Sequence, residues 1–158
     1  MATWQDFENE APDLAPAVLA RLAAHRHHVL ATLRRDGSPR VSGTEVQLMG
    51  ADLTLGSMSG ALKALDLRRD PRFALHANPG DGTMAGGDAK LAGLAVEIVD
   101  ELARAGYEAE LPEPPTGPYH AFRLGLTEVV LTSIARGGDH LVIQSWRPGE
   151  EVRTEERY

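Results

Sequence analysis

The sequence predicts a mainly β protein, a closed or nearly closed antiparallel β-barrel with flanking helices. Its 158 residues suit one domain. About seven segments have the pattern of β-strands, most of them joined by hairpin turns. So many strands in so short a chain favour closure, because closure removes exposed strand edges. We expect one domain over residues 1–158: a helical segment at 1–27, the barrel at 28–147 and a tail at 148–158.

A short amphipathic helix is predicted before the barrel, over residues 13–24. Leu14, Val18 and Leu22 recur there at intervals of four, which places them on one helical face. Pro16 lies near the start, where a helix tolerates proline. The apolar face of this helix is expected to pack against the barrel.

The first three strands are predicted to form a meander. They lie at residues 28–34, 39–48 and 53–57. Asp36-Gly37, between the first two, is a strong hairpin signal, because glycine supplies the positive φ that the turn needs. A second turn, at residues 49–52, leads into the third strand.

A helix and four further strands follow the meander. The helix is predicted over residues 59–69, with Ser59 as its N-cap and Asp70-Pro71 as its stop. The strands are predicted at residues 72–78, 89–100, 120–135 and 139–146. The intervening segments are a glycine-rich loop, a weak helix and a proline-rich connection, at residues 79–88, 101–111 and 112–118.

Composition excludes several classes of function. The chain has no cysteine, which excludes disulfides and thiolate metal sites. No apolar run is long enough for a membrane span, and the first residues do not resemble a secretory signal, so we expect a cytoplasmic protein. A net charge of −7 argues against nucleic-acid binding. Aromatic residues make up only 5%, and the small side chains left to fill a barrel favour a dimer.

The junction at residues 57–63 is the first candidate site. A strand there runs directly into a helix, and helix N-termini bind phosphate through unpaired N–H groups. Ser57 and Ser59 add hydroxyls, and Lys63 can lean back toward the same point. The competing interpretation is purely structural: Ser59 caps the helix, Ser57 ends a strand and Lys63 is solvated.

The second candidate site is the strand segment formed by Val41, Ser42, Gly43 and Thr44. Ser42 and Thr44 share one face of this strand. Gly43 would let a flat ligand approach the backbone, which could offer N–H and C=O groups to a heterocycle. The alternative is an ordinary strand with a polar outer face and a glycine bulge.

Other patterns are weaker. Residues 80–85 match a dinucleotide-binding glycine pattern, but a strand follows where that motif needs a helix, so we interpret a mobile loop that could cover a ligand. The histidines at 25–28 have no carboxylate at ligand spacing, and no metal site is predicted. No serine nucleophile motif is present. Trp146 could stack on a ligand, although a late-strand tryptophan is more often core.

Several segments of the sequence occur in an order that is typical of one protein family. They are residues 29–33, 36–37, 39–42, 57–63, 67–71, 89–100, 122–131 and 146–149. Together, over about residues 20–150, they resemble the pyridoxamine 5′-phosphate oxidase-like, FMN-binding split-barrel proteins.

The resemblance implies a homodimer of split barrels with two cofactor sites at the subunit interface. Ser57 and Lys63 match the phosphate-contacting positions of the family, and Ser59 lies nearby. Residues 41–44 match the strand that lies along the isoalloxazine ring.

The chain departs from the oxidase proper in three places. Glu45 stands where the oxidase's Arg-x-x-Leu-Leu-Lys strand ends in lysine, and Ala61-Leu62 replace the Ser-Arg that precedes its next lysine. No Arg-x-His follows Trp146. The sequence is more similar to the flavin/deazaflavin oxidoreductase branch, whose members use FMN or coenzyme F-420.

The prediction is therefore an oxidoreductase that transfers hydride between bound FMN, or alternatively F-420, and a small organic substrate. It is not a true pyridoxamine phosphate oxidase, and no catalytic residue is assigned. The long anionic tail of F-420 needs extra basic groups, which four arginines could supply unless they are simply solvated: Arg34, Arg35, Arg68 and Arg69. The alternatives are a non-catalytic flavin- or haem-binding split barrel and a barrel without a ligand.

Overall fold

Nine strands form one antiparallel sheet in the computed structural model, which describes residues 1–158. The strands are β1 His28–Leu33, β2 Pro39–Thr44, β3 Gln47–Met49, β4 Asp52–Met58, β5 Arg72–His76, β6 Asp88–Glu97, β7 Tyr119–Ile134, β8 Leu141–Trp146 and β9 Arg153–Arg157. The helices are α1 Trp4–Glu10, α2 Ala15–Ala24, α3 Leu62–Arg69 and α4 Glu101–Glu110. The predicted helix over residues 101–111 is therefore present as α4.

The long strand β7 organises the barrel. The sheet order is β2-β1-β5-β6-β7-β4-β3, and the two end strands β2 and β3 are not paired with each other. One edge of β7 pairs with β6 along most of its length. Its other edge pairs with β4 through residues 119–123 and with β8 through residues 129–134. The barrel is thus split, with β4 and β8 sharing one edge of the same strand.

The predicted meander is only partly right. The predicted β1–β2 hairpin is present, with Leu33 opposite Pro39 across the turn. The segment predicted as one strand over residues 39–48 is divided into β2 and β3. The predicted turn at residues 49–52 joins β3 to β4, and the other edge of β4 pairs with β7 rather than with β2. Apolar alternation specifies which face of a strand is buried, but it does not specify the neighbouring strand.

Both ends of the chain contain elements that the sequence did not predict. Thr3 and Asp6 form a capping box for α1, which buries Trp4 and Phe7. The predicted tail contains β9, whose residues are all exposed and which pairs only with β8. Its mixed charges give no apolar alternation. The split of residues 39–48 and this added strand account for nine strands instead of seven.

The main core is formed by residues of the sheet, of the two N-terminal helices and of α3. Phe7 of α1 packs against Trp146 of β8, with 4.9 Å between ring centroids. The Trp146 indole N–H donates to the Glu10 carboxylate at 3.1 Å. Trp146 is fully buried, and it is a core residue rather than a pocket wall. No helix is long and apolar enough to cross a membrane.

Candidate functional site

One cavity of about 310 Å³ opens where β2, β4, α3 and α4 converge. Its lining is mostly polar and comes from separate parts of the chain. The lining residues are His27, Gly43, Thr44, Glu45, Gln47, Thr54, Gly56, Ser57, Met58, Ala61, Lys63 and Tyr107. The two candidate segments of the sequence therefore meet at this cavity, through Gly43 and Thr44 on one side and Ser57 and Lys63 on the other.

Lys63 joins the two sides of the cavity. Its Nζ donates a hydrogen bond of 2.7 Å to the carbonyl oxygen of Gly43. Burial lowers the pKa of Lys63, and the negative charge of Glu45 partly offsets that effect. An ammonium group has three N–H donors, so two remain for a ligand while the contact with Gly43 persists.

The charge of Glu45 is itself compensated. Its carboxylate lies 3.0 Å from Nε of Arg26 and 3.8 Å from Nδ1 of His27. Because Arg26 pairs with this carboxylate, Glu45 offsets the positive charge of Lys63 only in part. An anion that enters the cavity is therefore attracted by the Lys63 ammonium more than it is repelled by the Glu45 carboxylate.

The hydroxyl of Ser57 is buried and has no hydrogen-bond partner in the chain. Buried polar atoms are normally paired, and an unpaired one costs stability unless a ligand or water satisfies it. Ser59 does not line the same cavity. It lines an adjoining cavity of about 380 Å³ that shares Gly56, Ser57, Met58 and Tyr107 with the first.

The prediction that Ser59 caps the helix is wrong. Helix α3 begins at Leu62, with Ala61 as N-cap and no side-chain cap. Gly60 has a φ of 72°, a left-handed conformation that cannot continue into a right-handed helix. The chain therefore makes an extra turn before α3. Its first N–H groups, which have no acceptor within the helix, are left without a side-chain cap beside the cavity.

Only half of the predicted β2 segment lines the cavity. Gly43 has open space at the position of an added Cβ, and the Thr44 hydroxyl donates to the Glu45 carbonyl at 3.2 Å. Val41, 69% exposed, and Ser42 are not among its lining residues. Their assignment as cofactor-contacting residues remains a prediction.

Tyr107 of α4 is the main residue that sequence reasoning missed. It lines both cavities, and its hydroxyl lies above Gly56, where an added Cβ would be only 2.7 Å from Oη. Burial raises the pKa of Tyr107, so its hydroxyl stays a proton donor at neutral pH. One aromatic residue in a weakly patterned helix gave no signal of this position.

The glycine-rich loop lies elsewhere, and of the histidines at residues 25–28 only His27 lines the cavity. No residue of the loop 79–88 lines the cavity, and the loop is held to α2 by a 2.7 Å hydrogen bond from Arg21 to the Ala85 carbonyl. His28 is buried, and its Nδ1 accepts the Asn78 N–H at 3.0 Å. Burial lowers the pKa of His28, which favours its neutral form.

Comparison with known proteins identifies the fold. No family model and no curated protein matches the sequence. Among solved structures, a pyridoxamine 5′-phosphate oxidase-related, FMN-binding protein from Nostoc punctiforme PCC 73102 superposes with a TM-score of 0.69. Its sequence is 15% identical, and the match covers 94% of this chain and 96% of that one.

Two further structures share the architecture. PhzG from Burkholderia lata 383, in complex with tetrahydrophenazine-1-carboxylic acid, has a TM-score of 0.61 at 15% identity, over 90% of this chain and 87% of that one. An F420 reductase has a TM-score of 0.50 at 20% identity, over 65% of this chain and 87% of that one.

The class that emerges is a mainly β, antiparallel split barrel with a polar cavity at a strand-to-helix turn. More specifically, the chain has the split-barrel fold of the pyridoxamine 5′-phosphate oxidase-related proteins. The fold predicted from the sequence resemblance is thereby confirmed.

Proposed function

We propose that this protein binds FMN and transfers hydride between the flavin and a small organic substrate. The observation that carries the proposal is the meeting of three anion-binding features at one cavity. These are the Lys63 ammonium, the unpartnered Ser57 hydroxyl and the start of α3 without a side-chain cap. The solved FMN-binding neighbour and the F420 reductase support a flavin-type ligand for this fold.

The residues present fit a phosphate-bearing cofactor. Lys63 and the first N–H groups of α3 would hold the phosphate, and the open backbone face at Gly43 would receive a planar ring. The flavin supplies the hydride chemistry when bound. The chain supplies the anchor for the tail and the orientation of the ring. Tyr107 offers a protonated hydroxyl at the boundary of the two cavities, next to the space left for a substrate.

Arginine contacts favour FMN over F-420. Arg68 donates two hydrogen bonds to Glu97, and Arg69 donates to Asp66 and to the Leu33 carbonyl. Both guanidinium groups are thus engaged within the chain. Arg34 and Arg35 lie at the β1–β2 turn, the opposite end of β2 from Gly43. Few basic groups remain near the cavity for a polyanionic tail, so F-420 is the second candidate.

A homodimer would complete the site. A cavity of about 310 Å³ is at the small end for a cofactor site, which typically encloses roughly 300–1,000 Å³. The outer face of the sheet carries a second, mostly apolar cavity lined by Val29, Ala31, Ala74 and Val130 among others. Exposed apolar surface of this kind marks interaction sites. We propose that a second copy of the chain covers it.

The direct test is titration of the ligand-free protein with FMN and with F-420, followed by absorbance and fluorescence. We expect FMN to bind at micromolar concentration and F-420 to bind more weakly. Binding of neither would refute the proposal. Turnover of a quinone, enal or tetrapyrrole acceptor with a reductant then separates an oxidoreductase from a flavin- or haem-storing protein, which would bind its cofactor without reducing any acceptor.

Gly43→Ala tests the placement of the ring. An added Cβ meets no atom within 4 Å, so the fold should tolerate the methyl group. If the flavin lies against this strand, the methyl group keeps the ring from the backbone, and affinity should fall about tenfold or more. Titration calorimetry measures the affinity, and thermal unfolding checks the fold. Unchanged affinity in a folded variant would place the ring elsewhere.

A further inference from the structure

A chain of polar contacts runs beneath the turn that joins β4 to α3. Arg68 of α3 donates to Glu97 of β6 through Nε at 2.6 Å and Nη2 at 2.9 Å. The same carboxylate lies 2.9 Å from Nδ1 of His120 on β7. His120 Nε2 in turn accepts the backbone N–H of Gly60 at 3.2 Å. Three side chains from three secondary-structure elements thus form a chain of contacts that ends at one amide of the turn.

These contacts define the tautomer of His120. A backbone N–H can only donate, so Nε2 must present its lone pair to Gly60. The ring proton is then on Nδ1, where it donates to the Glu97 carboxylate. Protonation of Nε2 would leave two N–H groups facing each other and would break the contact with Gly60. The bond to Glu97 would persist, so a protonated ring would still have a partner.

The turn that His120 holds separates Ser57 from Lys63. Ser57 is paired directly with His120 across β4 and β7, so the two side chains share one face of the sheet. Gly60, in its left-handed conformation, is the residue whose geometry decides where α3 begins. His120 thus contacts the turn at Gly60 and lies opposite Ser57 in the sheet, so it adjoins both sides of the turn.

We infer that His120 is a positioning residue for the phosphate-binding turn, and that its protonation weakens ligand binding by releasing the Gly60 amide. The inference rests on the proposed function, because it assumes that the ligand's anionic group binds at this turn. His120 is only 7% exposed and lines neither cavity, so it acts through the turn and not through contact with the ligand.

The other charged groups around His120 change little in mild acid. Glu97 lies against the ring from β6, and a hydrogen bond from Arg68 holds its pKa below the ordinary value. Arg68 contacts the same carboxylate from α3, and this hydrogen bond to Glu97 raises the pKa of the Arg68 guanidinium. On the cavity side, Tyr107 stays protonated and Lys63 stays positively charged in mild acid. A ligand phosphate does titrate in this range, and His27 is a further ionisable group in the cavity lining.

His120→Gln keeps the two hydrogen bonds of the His120 ring but cannot be protonated. The Gln amide can donate to Glu97 and accept from Gly60, as neutral His120 does, but it does not protonate. FMN affinity is measured for both proteins between about pH 5.5 and about pH 8. We expect equal affinities at the high end and about five- to tenfold weaker binding by the unsubstituted protein at the low end. His27 and the phosphate are the same in both, so they cancel in this comparison.

His140→Gln is the matched control. His140 is also paired with a carboxylate, that of Asp139 at 2.8 Å, but it lies on the β7–β8 hairpin. Its replacement should leave the pH profile of FMN binding unchanged. Parallel profiles for the unsubstituted protein and His120→Gln would overturn the inference.

A ligand-free measurement separates this inference from the proposed function. The Gly60 amide signal in ¹H–¹⁵N NMR spectra should shift as His120 is protonated and should stay constant over the same range in His120→Gln. If the signal is constant in both proteins, the inference fails whether or not FMN binds. If the signal shifts as expected but FMN does not bind, the turn is controlled by His120 and the proposed function is wrong.

Discussion

Replacing Asp66 with alanine is expected to destabilise the protein by about 3 kcal/mol, at the lower end of the range for breaking a buried ion pair. Asp66 is only 3% exposed and lies on the buried face of α3. Its carboxylate accepts from Thr32 Oγ1 at 2.9 Å, from Arg40 Nε at 2.6 Å and from Arg69 Nη2 at 3.1 Å. The lower end of that range applies because the guanidinium groups of Arg40 and Arg69 are partly exposed and can turn toward water when the carboxylate is removed.

The same contacts fix the direction of the pH dependence. Burial by itself would raise the pKa of Asp66, but hydrogen bonds from Arg40, Thr32 and Arg69 outweigh it and lower the pKa below 3.8. A carboxyl whose pKa is lowered on folding stabilises the protein above its unfolded-state pKa. That contribution is lost as the pH falls through the folded-state pKa. The stability difference between the unsubstituted protein and Asp66→Asn should therefore shrink as the pH drops below about 4.

Chemical denaturation of the two Asp66 variants measures this effect, with Asp70→Asn as the control. Asp70 is on the same segment and pairs with Arg72, but that arginine is largely exposed. Solvent screening makes exposed pairs of this kind contribute little. An Asp66→Ala variant no less stable than Asp70→Asn would show that the buried carboxylate does not hold the structure together.

Asp66 also connects the two sides of the candidate site. It joins α3, which carries Lys63, to β2, which carries Gly43, through its contact with Arg40. The Lys63–Gly43 hydrogen bond spans the same two elements at the cavity. Loss of Asp66 should therefore loosen the cavity as well as lower stability.

Local signals in the sequence were sufficient for most elements. Asp36-Gly37 located the β1–β2 turn, and apolar spacing located α2. The pairing of β4 with β7 could not be predicted, because it joins residues more than sixty positions apart along the chain. The strand β9 was missed for a different reason: its exposed, charged residues carry no pattern that distinguishes a strand from a tail.

The candidate site was partly predictable, because some of its residues belong to local sequence motifs. Ser57 and Lys63 belong to one local motif, and Gly43 is identifiable as a glycine within a strand. Tyr107 and His120 reach the site from α4 and β7, so only the folded chain brings them to the turn. The error at Ser59 arose because Gly60 adopts a left-handed conformation, which moves the start of α3 to Leu62.

Replacing Lys63 with alanine should weaken binding of the phosphate-bearing cofactor by about 1.5–3 kcal/mol, the contribution of a charged hydrogen bond in a partly buried site. The ammonium lies in the cavity against the Gly43 carbonyl. Lys63 is partly buried, and this loss of solvation lowers its pKa. A bound anion can therefore compensate its charge. No other lysine lies near the cavity to replace it.

The chain itself provides the matched control. Its second lysine, Lys90, lies on the outer face of β6 and donates to the Thr132 hydroxyl at 3.2 Å. Lys90 also lines the apolar cavity that a second copy is proposed to cover, so the oligomeric state of Lys90→Ala is measured first. With that state unchanged, Lys90→Ala alters the net charge by the same amount and should leave cofactor affinity unchanged. Titration calorimetry at low and high salt compares the variants, since added salt should weaken binding to the unsubstituted protein more than binding to Lys63→Ala. Equal affinities and equal salt dependence in the two variants would mean that Lys63 does not bind the phosphate.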